Sequence, residues 1–234
     1  MFEWRGKKKS EPEVSPGGST IHRYESLSEP RFGYSMDVKD EFIKARDEVY
    51  LSRFGKAIKV FHEMPTLVPH VDVMEYYRTN ENGKVCALVT SGMSDLAMRV
   101  PAEKDSPRRV ELIFYCTEAK PEYAETLRLL ARFPHDQRTW IGPFHTVPNG
   151  TPPEPLWGTR NLDTIFFLPP IVKKDQNLQE ELIFDGDGVE FLWVVPLTTA
   201  ECNLKLAKGA NAIMGLFQKN RHPHVFAGDR ASYV

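Results

Sequence analysis

GVEFLWVVPLTTAE, residues 188–201, decides how this chain folds. Its first nine residues form a β-rich apolar run with no clean alternation, the signature of a strand covered on both faces. The next step is abrupt: Thr198-Thr199-Ala200-Glu201 has the spacing of a capping box, with a hydroxyl at the cap and a carboxylate three residues on. Leu206, Ala210, Ile213 and Phe217 then follow at intervals of four, three and four, which predicts a helix leaving directly from the end of the strand. A central strand feeding a helix calls for a sheet with helices packed against it.

Three more strand runs lie upstream: KVCALVT (84–90), RRVELIFYC (108–116) and LDTIFFL (162–168). Pro121 can open a helix that lines up Tyr123, Leu127 and Leu130 until Phe133-Pro134 stops it. An earlier helix carries Phe42, Ala45 and Val49 behind Asp37 as cap. The order is helix, strands, helix, strands, helix, with a proline-rich connection at 143–161. The fold class expected is therefore α/β in the α+β sense, one domain over residues 36–234 with a mixed sheet flanked by helices. Residues 1–35, rich in Gly, Pro and Ser, read as a flexible polar leader.

The bulk numbers narrow the function classes. With 234 residues, 41% hydrophobic and 26% charged, the chain is an ordinary globular protein. A net charge of -2 gives no field to gather nucleic acid or an anionic membrane. The basic start is followed by Ser10-Glu11-Pro12-Glu13, not by the apolar core of a signal peptide, and no apolar window could span a bilayer. Cys86, Cys116 and Cys202 form no C-x-x-C pair and fit a reducing compartment. A cytoplasmic location is the expectation.

Candidate chemistry concentrates in VFHEMPTLVPHVDV (60–73), which places His62, Glu63, His70 and Asp72 close together in sequence. These are metal-ligand types, but Pro65 and Pro69 exclude a continuous helix between the histidines. After Pro69 the residues alternate, with Val71 and Val73 on one side and His70 and Asp72 on the other. One strand thus supplies two ligands at most, and a hydrogen-bonded imidazole and carboxylate at a sheet surface explains the pair as well. TSGMSD (90–95) ends a strand but lacks the second glycine of a serine-hydrolase elbow. DGDG (185–188) precedes a strand and reads as a hairpin turn. His135, His145, His222 and His224 are scattered. The alternative enzymatic reading, a metal-dependent enzyme, needs His62, His70, Asp72 and His145 to converge.

The segments VFHEM, HVDV, LVTSGMSD, RRVELIFYC, FLPP, FLWVVPLTTAE and HPHVF, taken in this order, resemble the suppressor of fused domain family from about residue 37 onward. The resemblance implies a protein-binding domain of mixed architecture, not an enzyme, with no cofactor and no metal. In animals the full-length member is a cytosolic and nuclear adaptor that restrains Gli-type transcription factors, and a second, C-terminal domain completes its partner cleft. Here the sequence ends at Val234, and Phe144 stands where animal members have an Asp that grips the partner, just before the residue matching His145. Both departures argue against Gli-type binding. The chain is similar to the single-domain bacterial branch, whose members have been suggested to act as immunity proteins that neutralise toxins. The implied partner is another protein, a toxin in that branch, and the implied role otherwise is that of a regulatory adaptor. Phe144 and His145, with Trp157 and Arg160 in the proline-rich loop, are the expected protein-binding residues, since aromatic and Arg side chains anchor interfaces. Trp157 can equally pin the loop to the sheet.

Overall fold

The runs of apolar strand residues pair as the sequence expects. In the computed structural model, which describes residues 13–24, 39–80 and 83–234, strand β5 (Gly83–Ser91) lies antiparallel to β4 (Asp72–Asn80) and to β6 (Arg109–Cys116). The long β10 (Asp187–Thr198) runs parallel to β6 through Val189–Trp193, then antiparallel to β8 (Leu162–Leu168) through Trp193–Thr198. Short edge strands close the order: β3 (Lys59–Phe61) beside β4, and β7 (Thr146–Pro148) beside β8. A two-residue strand, β9 (Ile183–Phe184), turns into β10 through Asp185 and Gly186, both with positive φ. That pair of left-handed residues is the geometry that an Asp-Gly hairpin provides.

Mixed pairing in one sheet leaves two faces to cover. Leu88, Leu112, Phe114, Ile165, Phe167 and Val194 face helix α2 (Pro121–Asp136), which buries Tyr123, Ala124 and Leu127 against them. Tyr115, Phe166, Trp193 and Val195 face the other way, onto α1 (Asp40–Phe54) and α4 (Ala210–Lys219). Each fully buried Phe or Leu of these layers contributes roughly 1.5–3 kcal/mol. The result is the mixed sheet flanked by helices that the sequence calls for.

Local boundaries differ from expectation in three places. Helix α1 starts at Asp40 with Lys39 in the cap position; Asp37 lies outside the described residues. Helix α2 does not stop at Pro134 but runs to Asp136, because a proline in the last turn forfeits a single hydrogen bond there. The predicted C-terminal helix is two helices, α3 (Thr199–Lys208) and α4, divided at Gly209 with φ 85°. The capping box itself forms in full: Glu201 N–H donates to Thr198 Oγ1 at 3.2 Å, and Thr198 N–H donates to Glu201 Oε2 at 2.9 Å.

Of the segment read as a leader, residues 1–12 and 25–35 lie outside the described residues. Between them β1 (Glu13–Val14) and β2 (Thr20–Ile21) form a small hairpin. Gly17 N–H donates to Leu206 O on α3 at 2.7 Å, so the hairpin satisfies one of that helix's terminal carbonyls.

Candidate protein-binding surface

TSGMSD, the motif with a hydrolase flavour, turns out to be a structural clasp. Glu111, on β6, is fully buried, and its Oε1 accepts from the N–H groups of Gly92 and Ser94 at 3.0 Å each and from Ser94 Oγ at 2.6 Å. Its Oε2 accepts from Thr90 Oγ1 at 2.6 Å. Ser94 is 0% exposed and its hydroxyl is committed, so it cannot serve as a nucleophile. Gly92 is required here: its φ is 123°, and a Cβ would lie 2.0 Å from the His70 carbonyl oxygen. Burial pushes the Glu111 carboxyl above its ordinary range, against the pull of Arg46 and the four hydrogen bonds. Arg46 in turn pairs with Asp95 and donates from Nε to Ser91 Oγ at 2.9 Å. Arg109 closes the turn by donating to the carbonyls of Ser94 at 2.7 Å and Asp95 at 3.0 Å.

Neither Arg46 nor Glu111 is legible as a site residue from hydropathy, since both read as surface charges. Their signal is positional. Arg46 sits four residues from both Phe42 and Tyr50, the buried stripe of α1, and Glu111 interrupts a strand that is otherwise buried throughout.

The histidines of 60–73 do meet carboxylates. His62 Nδ1 lies 3.0 Å from Asp72 Oδ2, and His70 Nε2 lies 3.3 Å from Asp72 Oδ1. Glu63 lies 3.5 Å from His70 Nδ1 through Oε2, and it also pairs with Arg132 of α2 and accepts from the N–H groups of Leu67 and Val71. His145 precedes β7, the opposite edge of the sheet from β3 and β4. The set His62, His70, Asp72 and His145 is therefore not brought together, because four strands, β5, β6, β10 and β8, lie between β4 and β7. Among the described residues no group of three His, Cys, Asp or Glu is placed to hold a metal ion.

The β7 end holds two of the other expected residues, Phe144 and His145. Phe144 has φ 68° and a ring 41% exposed, while its N–H donates to Phe167 O at 2.7 Å. A left-handed backbone at a bulky side chain is strained and is held only by its surroundings. His145 follows it, half-buried, its ring edge-on to Trp140 at 5.8 Å. Burial, followed by Lys205 and His22, pushes the His145 imidazole down to about 4. Lys205, buried on α3, donates to Thr146 Oγ1 at 3.3 Å.

Trp157 and Arg160 part company. Trp157, also left-handed at φ 54°, packs among Phe114, Tyr123 and Phe226 with ring separations of 5.1, 4.8 and 5.2 Å. Its Nε1 donates to Thr126 Oγ1 on α2 at 2.8 Å, so it pins the proline-rich loop to the sheet. Arg160 is 92% exposed along its side chain, with its guanidinium 3.5 Å from Asp229. Phe144 rests near Phe166, on the opposite face of the sheet from the cluster that holds Trp157.

The C-terminal segment was not anticipated as part of the sheet. Where β10 leaves β6, Phe226 takes its place: its N–H donates to Tyr115 O at 2.8 Å and its carbonyl accepts from Thr117 at 3.2 Å. Between this segment and the strands lies an apolar cavity of about 170 Å³, lined by Phe114, Trp193, Val195, His222 and Phe226 among others. Glu201, fully buried, fixes the end of the chain through Arg230 at 2.6 Å and through the Tyr233 N–H at 3.0 Å.

Comparison with known proteins agrees with this architecture. A crystal structure of a suppressor of fused homologue from Neisseria gonorrhoeae superposes with a TM-score of 0.62 and 17% identity, covering 84% of this chain and 98% of that one. A chain in a crystal structure of the Sufu–Fu complex gives 0.54 and 11%, over 82% of this chain and 91% of that one. Drosophila Suppressor of Fused gives 0.52 and 13%, and there the match spans 82% of this chain but only 50% of that protein. At these identities the likeness is one of fold. No curated protein matches the sequence. The sequence itself matches the suppressor of fused protein family over residues 68–231, from the histidine strand through the C-terminal wedge, and the chain belongs to that family.

Proposed function

We propose that this chain is a non-enzymatic protein-binding domain and that its partner surface is the β7 end of the sheet, from Gly142 to Leu168. The observation that carries this reading is Phe144, a strained, solvent-facing aromatic immediately before a three-residue outermost strand. An edge strand can take up an extended segment of another protein by main-chain pairing, and side chains beside it give specificity. Pro148 on that strand limits indiscriminate pairing. The Sufu–Fu complex supports a protein partner, since there a chain of this fold is held with another protein. Phe144 and His145 line the edge, and Arg160 supplies a fully reachable guanidinium on the loop. Trp157 acts by holding that loop in place.

The partner in this reading is a toxin, and the chain is a cytoplasmic immunity protein of the single-domain type. Its likeness in fold to the Neisseria homologue supports a bacterial-type member, and the toxin partner rests on the resemblance to that branch alone. An immunity protein needs only a rigid scaffold and a complementary surface, and the buried clasp provides the rigidity. The test is co-expression with the coding region adjacent to this gene in its own genome. Protection of the host cell, lost with Phe144→Ala and Arg160→Ala while circular dichroism stays unchanged, is the expected result. A partner that binds both variants as tightly as the unaltered chain would move the interface elsewhere.

A further inference from the structure

Residues Glu13–Tyr24 touch helices on both faces of the sheet. Gly17 lies on the last turn of α3, whose neighbour α4 packs on the Trp193 face. Five residues later His22 sets its ring edge-on to Trp140 at 5.7 Å, and Tyr24 sets its ring edge-on to Phe133 at 5.3 Å and donates to Thr139 Oγ1 at 2.8 Å. Trp140 and Phe133 belong to the α2 face. A segment that reaches both faces within so few residues has to round an edge. That edge is β7, because Trp140 also touches His145 and the α3 residue Lys205 reaches Thr146.

The attachment is built, yet light. At Gly17 a Cβ would fall 2.3 Å from Gly209 N and 2.7 Å from Lys205 O, so only glycine lets the backbones meet. Gly209 faces it across the contact. Apart from Ser15, the segment buries little, and two paired strands of two residues each have no stability of their own. Contacts of this type open locally long before the fold does.

The geometry points to a detachable strap: residues Glu13–Tyr24 close the β7 edge against strand addition, and a partner segment gains the edge only by displacing them. This rests on the reading of the β7 edge as the partner surface. The charged or titratable side chains that act on His145 are Lys205 of α3, His22 of the strap and Lys104 of the loop before β6. With the strap and its His22 gone, Lys205 and Lys104 leave positive charge beside the outer edge of β7. The fitting occupant is an extended protein segment whose side chains alternate between apolar and acidic.

Two full-length variants release opposite ends of the strap, Gly17→Val at α3 and the pair His22→Ser with Tyr24→Ser at α2. In both, tryptic cleavage after the exposed Arg23 is expected to quicken about tenfold or more, with amide exchange rising at Thr146 and Val147 and the unfolding midpoint nearly unmoved. The probe for the uncovered edge is a synthetic peptide of alternating valine and glutamate. It should bind each variant about tenfold more tightly than the unaltered chain, while its valine–lysine counterpart binds neither. Cleavage at Arg23 equally fast in all three chains would overturn the strap. Faster cleavage in both variants with no binding of the acidic peptide would overturn its role as a guard, while the reading of the edge as a partner surface stands or falls separately with Phe144→Ala and Arg160→Ala.

Discussion

Between β5 and β6 both oxygens of Glu111 are bonded to groups from a neighbouring strand and turn, whereas at the β7 end Phe144 holds a left-handed backbone with its ring in solvent. The two regions are equally specific in sequence and opposite in purpose. A buried carboxylate is tolerable only when its hydrogen bonds are supplied in full, so the clasp fixes several residues at once and leaves none of them free to act. The strained phenylalanine meets the sheet at Phe166 and Phe167 but leaves 41% of its surface in solvent, and that exposure is what motivates the proposed partner surface. The motif that most suggests chemistry is thus the one that makes the scaffold, and the candidate surface carries no motif.

The contrast can be broken most directly at the clasp. Glu111→Ala removes the acceptor from Thr90, Ser94 and Gly92 and leaves Arg46 with a buried deficit of negative charge. Unfolding in urea should show a loss of roughly 3–5 kcal/mol, the range for breaking one side of a buried ionic network. A loss below about 1 kcal/mol would mean that water replaces the carboxylate and that the clasp is not what holds this turn.

Trp157 and Phe144 sharpen the comparison because both are left-handed aromatics in one connection. Trp157→Ala should cost about 3 kcal/mol of stability, since it empties a cluster of three aromatic rings and frees the loop. Equal melting of that variant and the unaltered chain would return Trp157 to the interface.

Acid separates the regions as well. His145 and His222 are both held down to about 4 from 6.5, burial being the larger cause in each. The unfolded chain takes up a proton near 6.5 while the folded one resists until about 4, so their contribution is complete above 6.5 and is lost as the pH falls through that window. Each should account for roughly 1–3 kcal/mol of lost stability between neutral pH and the lower limit. Urea titrations at several pH values, with His145→Gln and His222→Gln, would check it; an unchanged slope in the double variant would assign the acid sensitivity to other groups.

The smallest effect is expected where function is proposed. Phe144→Ala and Arg160→Ala should each alter stability by no more than about 0.5 kcal/mol. Against a purified partner each should weaken binding by about 2 kcal/mol if it is a true anchor, which titration calorimetry resolves.

How far the sequence carried the fold depended on how each residue is held. The β5, β6, β8 and β10 strands were legible because burial on both faces leaves unbroken apolar runs, and the capping box because its spacing is chemical. The division at Gly209 was hidden since Leu206, Ala210 and Ile213 keep helical spacing across it. Arg46 and Glu111 were illegible because a charge in a sequence looks solvated until its partners, 49 and 17 residues away in Asp95 and Ser94, are seen beside it. The Gly17 contact is the extreme case: two backbones meeting at glycines leave no hydropathy at all, and a docked segment reads as a polar tail. At the surface, Phe144 and Arg160 were placed by resemblance and residue type, while their exposure came only from the structure.

The docking of Gly17 on the end of α3 also sets an order of events on the ribosome. Residues Glu13–Tyr24 are synthesised roughly 180 residues before their seat at Leu206–Gly209. The β7 strand, which the strap is proposed to guard, has its partner β8 complete roughly 40 residues before that seat, which at ~5–20 residues per second is an interval of roughly 2–8 s. On the strap proposal, a nascent chain presents an unguarded edge to its neighbours on the polysome for those seconds. Only Pro148 and the brevity of the strand then stand between a newborn sheet and mispairing with the next one.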